Sequence, residues 1–110
     1  MGRGLDIEIV KWGVELRIVG RLDSRSAPAA RLSLHEQVDG AAGDLTIDVA
    51  GAEIWDGAGL GVIVGTSRRA RRAGRRLVLT EVRPRELRML KVALVSRTAI
   101  LYPALTPVTL

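Results

Sequence analysis

The sequence predicts an α/β fold with the element order ββαβαβαβ, and three observations predict it. Apolar residues alternate with polar ones in short stretches, recur at helical spacing in longer ones, and glycine or proline stands at most changes of pattern. Strands that alternate with helices imply a mainly parallel sheet covered by helices.

Leu5, Ile7 and Ile9 alternate with Asp6 and Glu8, and after Lys11-Trp12-Gly13 the alternation resumes through Val14, Leu16 and Ile18. That is a hairpin of two antiparallel strands. From Ser26 the period lengthens to Ala27, Ala30, Leu34 and Val38, a first helix with Asp23, Ser24 and Ser26 as cap candidates and Pro28 in the first turn. Ser24 reads as the cap. Gly40 and Gly43 end the helix, Asp44 to Val49 forms the third strand with Leu45, Ile47 and Val49 inward, and Ala50 to Asp56 reads as a loop. A second helix follows Gly57-Ala58-Gly59-Leu60-Gly61, with Leu60, Ile63, Val64 and Ser67 on one side and Arg68, Arg69 and Arg72 on the other. Gly74 stops it. Arg76 to Thr80 is the fourth strand, Pro84 opens a third helix with Leu87, Leu90 and Leu94 on one face, and Ile100 to Tyr102 is a last short strand before Pro103. There is no internal repeat, linker or low-complexity segment.

With 110 residues, 47% hydrophobic and 26% charged, the chain has the size of one domain spanning 1–110. Its core is aliphatic, because Phe is absent and only Trp12, Trp55 and Tyr102 are aromatic. Cysteine is also absent, which removes disulfide and thiolate chemistry. No stretch approaches the roughly 20 apolar residues that cross a bilayer, so a cytoplasmic protein with no transmembrane segment is the expectation.

The net charge of +5 is unevenly placed: residues 1–67 sum to −4 and residues 68–110 to +9. Arg68, Arg69, Arg71, Arg72, Arg75 and Arg76 form the densest basic run. Nucleic-acid binding through this second-helix face is the alternative from another class, but no aromatics interleave with the arginines, so most of the run, which extends past the helix, reads as a solvated helix face.

Catalytic residues are few. His35 is the only histidine, sits beside Glu36 in the first helix, and reads as solvated; no zinc spacing exists, so neither an enzyme, a metal nor a cofactor is expected. The glycines at 57, 59, 61 and 65 leave N–H groups open at a helix start, a geometry that suits anions. A dinucleotide fingerprint fails in detail, because its third glycine would fall on Val62 or Val64. Close helix packing is the competing reading of these glycines. Thr66 and Ser67 read as packed or solvated rather than as modification sites, and Trp55 reads as partly buried.

The run from Asp44 to Gly65, DLTIDVAGAEIWDGAGLGVIVG, resembles the core of the STAS domain of bacterial anti-sigma factor antagonists. Gly20-Arg21-Leu22-Asp23 is similar to that family's Gly-x-Leu-Asp at the end of its second strand, and the likeness extends from about Leu5 to Tyr102. The resemblance implies a STAS-like (SpoIIAA-like) mixed sheet of four to five strands with helices mainly on one face. It also implies a switch, in which an antagonist binds an anti-sigma factor of the serine-kinase type and phosphate at the start of the second helix blocks that binding. The family motif there is Asp-Ser-Ser-Gly-Leu-Gly, matched here by Asp56, Gly57, Ala58, Gly59, Leu60 and Gly61. Ala58 stands at the phosphoserine position and has no hydroxyl.

The expected function is therefore a non-enzymatic protein-interaction module that regulates transcription, with Asp23, Ser24 and Asp56 to Gly61 as its partner-binding rim. Asp23 and Asp56 end strands at the edge where open α/β sheets bind ligands, and each can also hydrogen-bond its own loop. The alternative is a STAS subunit of another regulatory or lipid-transport assembly. A monomer is favoured, although a shortened C-terminal helix after Tyr102 would bare an apolar strip.

Overall fold

Alternation of side chains along the first two strands explains the start of the chain. In the computed structural model, which describes residues 4–93 and 99–105, strands β1 (Leu5–Lys11) and β2 (Glu15–Leu22) pair antiparallel with Ile7 opposite Ile18 and Ile9 opposite Leu16. Leu16, Ile18 and Leu22 are buried, while Glu15, Arg17 and Arg21 face outward. The turn closes through the Val14 N–H to the Lys11 carbonyl at 3.0 Å and places Gly13 at a φ of 70°. That left-handed conformation suits glycine.

Helix α1 (Ala27–Asp39) leads to β3 (Leu45–Ile54), α2 (Gly57–Arg72) to β4 (Leu77–Val82), and α3 (Pro84–Ala93) precedes β5 (Ala99–Pro103). The sheet runs β1-β2-β3-β4-β5, antiparallel only at β1–β2 and parallel elsewhere. Its inner face is aliphatic: Leu45, Ile47, Ala52 and Ile54 of β3 and Leu77 and Leu79 of β4 pack with Leu34, Val38, Val62, Ile63 and Leu90 of the helices. Each such leucine, isoleucine or valine contributes about 1.5–3 kcal/mol on burial. The outer face of β1, β2 and β3 mixes charged side chains with exposed Val10 and Val19, and there Arg17 reaches Glu8 at 3.4 Å and Asp48 at 3.6 Å.

The stretch from Ala50, expected as a loop, is a correction: β3 continues through Ile54. A bulge explains the difference. Arg17 of β2 pairs with Asp48, but Val19 pairs with Gly51, so β3 holds one residue more than β2 between those pairs. The inward set consequently changes phase from Leu45, Ile47 and Val49 to Ala52 and Ile54. Asp48 Oδ1 accepts the Ala50 N–H at 2.9 Å inside the bulge.

One member of the basic run lies apart from the solvated face: Arg75, beyond the end of α2, is only 5% exposed. Its guanidinium donates to the carbonyls of Gly13, Gly43 (2.7 Å), Gln37 (3.0 Å), Val38 (2.7 Å) and Asp44 (3.4 Å). Gln37 Oε1 accepts the Gly13 N–H at 2.6 Å beside it. Leu87 and Leu90 of α3 pack as expected, whereas Leu94 and residues 106–110, where the expected loss of a final helix falls, lie outside the described residues.

Candidate functional site

The ends of β2 and β3 are stitched together by the Trp55 N–H, which donates to the Leu22 carbonyl at 2.9 Å. The two connections that leave this rim, with the first turns of α2, carry all eight residues singled out in the sequence. Asp23 and Ser24 follow β2, and Asp56, Gly57, Ala58, Gly59, Leu60 and Gly61 follow β3.

Asp56 precedes α2 in an extended conformation and accepts the Gly59 N–H on Oδ1 at 2.9 Å, a standard N-cap. Its Oδ2 accepts the Ser24 N–H at 3.0 Å. One carboxylate thus caps the helix and fixes the opposite loop. It also takes one of the N–H groups that an anion at this helix start would use.

Gly59 is buried, and a Cβ there would lie 1.9 Å from the Leu22 carbonyl oxygen, so α2 approaches β2 only because that residue is glycine. Gly57, Gly61 and Gly65 have open space around the same position. Close packing is therefore the role of one glycine of the four. Gly57 and Ala58 are exposed, and Leu60 and Gly61 are partly so.

Asp23 folds its own loop. Its Oδ1 accepts the N–H groups of Arg25 at 2.9 Å and Ser26 at 3.0 Å, and the Ser26 bond leads in holding its carboxyl below the ordinary carboxylate range. Ser26 Oγ donates to the Arg21 carbonyl at 2.7 Å and accepts the Asp23 N–H at 3.0 Å. Ser26, rather than Ser24, immediately precedes α1, which corrects the expectation that Ser24 caps that helix. Ser24 itself is exposed.

Trp55 stands 50% exposed beside Asp56, with the Arg21 guanidinium 4.0 Å above its ring. It borders a cleft of about 360 Å³ lined by Glu53, Arg83, Pro84, Arg85 and Glu86. Glu86 is 4% exposed in the first turn of α3 and accepts from Arg85 at 2.8 Å and from the Ile54 N–H at 3.4 Å. Arg83 and Arg85 also donate to the carbonyls of Ala52 at 2.7 Å and Ile54 at 3.0 Å, closing the end of β3. The sequence reading missed this group; the signal present was an acid in the turn after Pro84, a position that the helix dipole favours.

Thr66 and Ser67 are buried, and Thr66 Oγ1 donates to the Val62 carbonyl at 2.8 Å. His35 is partly buried, its Nε2 is enclosed without a hydrogen bond, and desolvation followed by Arg69 and Arg31 pushes its pKa down. Within the basic run Arg69 pairs with Asp39 at 2.7 Å and Arg76 with Asp44 at 3.0 Å, leaving Arg68, Arg71 and Arg72 as the exposed cations of α2. Among the described residues no cluster of three or more His, Cys, Asp or Glu is placed to hold a metal, and no helix is long and apolar enough to cross a membrane.

A family model described as "Mlab, STAS domain" matches residues 7–103. An anti-sigma factor antagonist from Mycobacterium paratuberculosis has a similar structure, with a TM-score of 0.70 and 23% identity over 92% of this chain and 87% of that one. An anti-sigma-factor antagonist (STAS) domain protein from Planctomyces limnophilus gives a TM-score of 0.69 at 17% identity, covering 89% and 90%. The antagonist SpoIIAA in its unphosphorylated form gives 0.66 at 17%, covering 88% and 86%. At such identities the likeness is one of fold, and the five-stranded mixed sheet with three helices is that fold. No curated protein matches the chain.

Proposed function

The chain belongs to the STAS domain family, and on that footing we propose that its 110 residues act as a single non-enzymatic interaction module that binds an anti-sigma factor of the serine-kinase type. The rim of Asp23, Ser24 and Asp56 to Gly61 is the docking surface. One observation carries this reading: Asp56 joins the Ser24 loop to the start of α2 and leaves Gly57 and Ala58 exposed between them. A rim already ordered by its own hydrogen bonds loses little conformational freedom when a partner docks.

Ala58 has no oxygen to accept phosphate, so binding at this rim is not switched at residue 58. Calorimetric titration of the protein and of Ala58→Ser into each anti-sigma kinase of the same genome, with and without ATP, tests the reading. Binding of the alanine form to one kinase, with ATP weakening the Ala58→Ser complex further, is the expected result. If neither form binds any kinase, the assignment fails.

A second reading is favoured by Ala58 itself together with the Mlab description of the matching family model: a STAS subunit of a different regulatory or transport assembly, docking through the same helix. Co-purification of a protein other than an anti-sigma kinase, lost on Ala58→Arg, distinguishes it. A cytoplasmic site of action fits both readings.

A further inference from the structure

We propose that Ser24 is a phosphoacceptor on the docking rim, a regulatory site across the loop–helix junction from the hydroxyl-free residue 58; the inference rests on the rim reading above. Three observations on the structure support it. Ser24 is exposed, and its N–H lies 3.0 Å from the carboxylate that caps α2, so the residue is held against the helix start that carries Ala58. Its hydroxyl is not used as the α1 cap, because Ser26 stands at that position and its Oγ is tied to Arg21 and Asp23.

The remaining hydroxyls among the described residues fit the role less well. Thr66 and Ser67 are buried within α2, Thr46 and Thr80 are half-buried in strands, Ser33 lies midway along α1, away from the rim, and Tyr102, a phenol rather than an alcohol, sits on the edge strand β5.

The chemistry is a phosphoryl transfer. A protein kinase carrying a nucleoside triphosphate supplies the γ-phosphoryl group; the Ser24 Oγ–P bond forms as the bond to the bridging oxygen of the diphosphate breaks. The hydroxyl proton passes to a base of the kinase, and nucleoside diphosphate leaves. The product adds a charge of about −1.5 to −2 at a point already flanked by Asp23 and Asp56. Like-charge repulsion acts on the Ser24–Asp56 link, and a partner surface matched to the unmodified rim meets a dianion it must desolvate.

The test uses the full chain, each anti-sigma kinase of the same genome and ATP, with phosphate located by peptide mass spectrometry and affinity measured by calorimetry. The expected result is one phosphate on Ser24, none on Ser24→Ala, and affinity lowered about tenfold or more for both the phosphorylated protein and Ser24→Glu. Ser24→Ala keeps the parent's melting temperature, because the Asp56 bond is made by the Ser24 backbone N–H. A kinase that binds tightly yet transfers no phosphate, or transfers it elsewhere, overturns the Ser24 inference and leaves the docking reading intact. Parent-like affinity of folded Ser24→Glu overturns it as well. Absence of binding by every kinase sinks the docking reading and this inference with it.

Discussion

Asp56 holds Ser24 and Gly59 at once, accepting their N–H groups at 3.0 Å and 2.9 Å on different oxygens of one carboxylate. The two bonds are separable by substitution. Asp56→Ala removes the α2 cap and the loop link and is expected to cost about 1 kcal/mol. Asp56→Asn keeps one accepting oxygen for Gly59 and presents an NH2 to Ser24, so it costs less while still releasing the loop. Urea denaturation measures the stability, and faster exchange of the Ser24 amide in both variants reports the loop.

Two glycines of α2 respond to alanine with opposite signs. Gly59→Ala drives a Cβ into the Leu22 carbonyl, 1.9 Å away, and is expected to destabilise by about 2 kcal/mol or more as helix and strand separate. Gly65→Ala meets open space in a helix interior and is expected to stabilise by about 0.5–1 kcal/mol. Thermal and urea unfolding of the two variants, compared with the parent, checks both signs.

Arg75 links carbonyls from several connections, and a lysine cannot reach them together because it lacks the planar fork. Arg75→Lys is expected to cost about 2 kcal/mol and Arg75→Ala about 3 kcal/mol, since buried acceptors then lose a charged donor. By contrast Arg71→Ala, on the exposed face of α2, is expected to fall within about 0.5 kcal/mol of the parent. Denaturant midpoints at constant slope separate the three.

Acidification is expected to lower the melting temperature in two stages. His35 has a depressed folded pKa, so the unfolded chain binds its proton first. Stability falls as pH drops from about 6.5 towards the folded value, with Arg69, Arg31 and Arg72 opposing the charge and Asp39 favouring it. Asp39, Asp44 and Asp23 are held down by bonds from Arg69, Arg76 and the Ser26 N–H respectively. Their contribution is complete above the unfolded carboxylate range and is lost as pH falls through the depressed folded values, below about 4. His35→Gln is expected to flatten the first stage and Arg69→Gln to diminish the second, both read from melting curves across pH.

The element order was legible because period two and period 3.6 rarely compete in this chain, and the Gly57 to Gly61 run marked the start of α2. Asp56 was recognisable as a rim carboxylate able to bond its own loop, and the structure adds that it caps α2. What escaped were features that depend on partners distant in sequence. The bulge after Asp48 breaks the alternation, so the end of β3 looked like a loop although β2 pairs with it as far as Ile54. Nothing in a row of arginines distinguishes Arg75, whose acceptors lie 31 to 62 positions away, from exposed Arg71 and Arg72. Ser24 and Ser26 are equivalent cap candidates by composition, and only the start of α1 at Ala27 puts Ser26 at the cap position, with its Oγ turned back to Arg21 and Asp23 instead of bonding the helix.

At the end of the sheet opposite the rim, the Arg75 guanidinium grips the β1–β2 turn at Gly13, the last turn of α1 at Gln37 and Val38, and the approach to β3 at Gly43. Opening any one of these segments breaks bonds to a single buried cation that the others share. They are therefore bound into one cooperative unit, in which fraying of one connection is resisted by the rest. The far end of the sheet then opens only as a whole and apart from the rim, whose order rests on the separate bonds of Asp23 and Asp56.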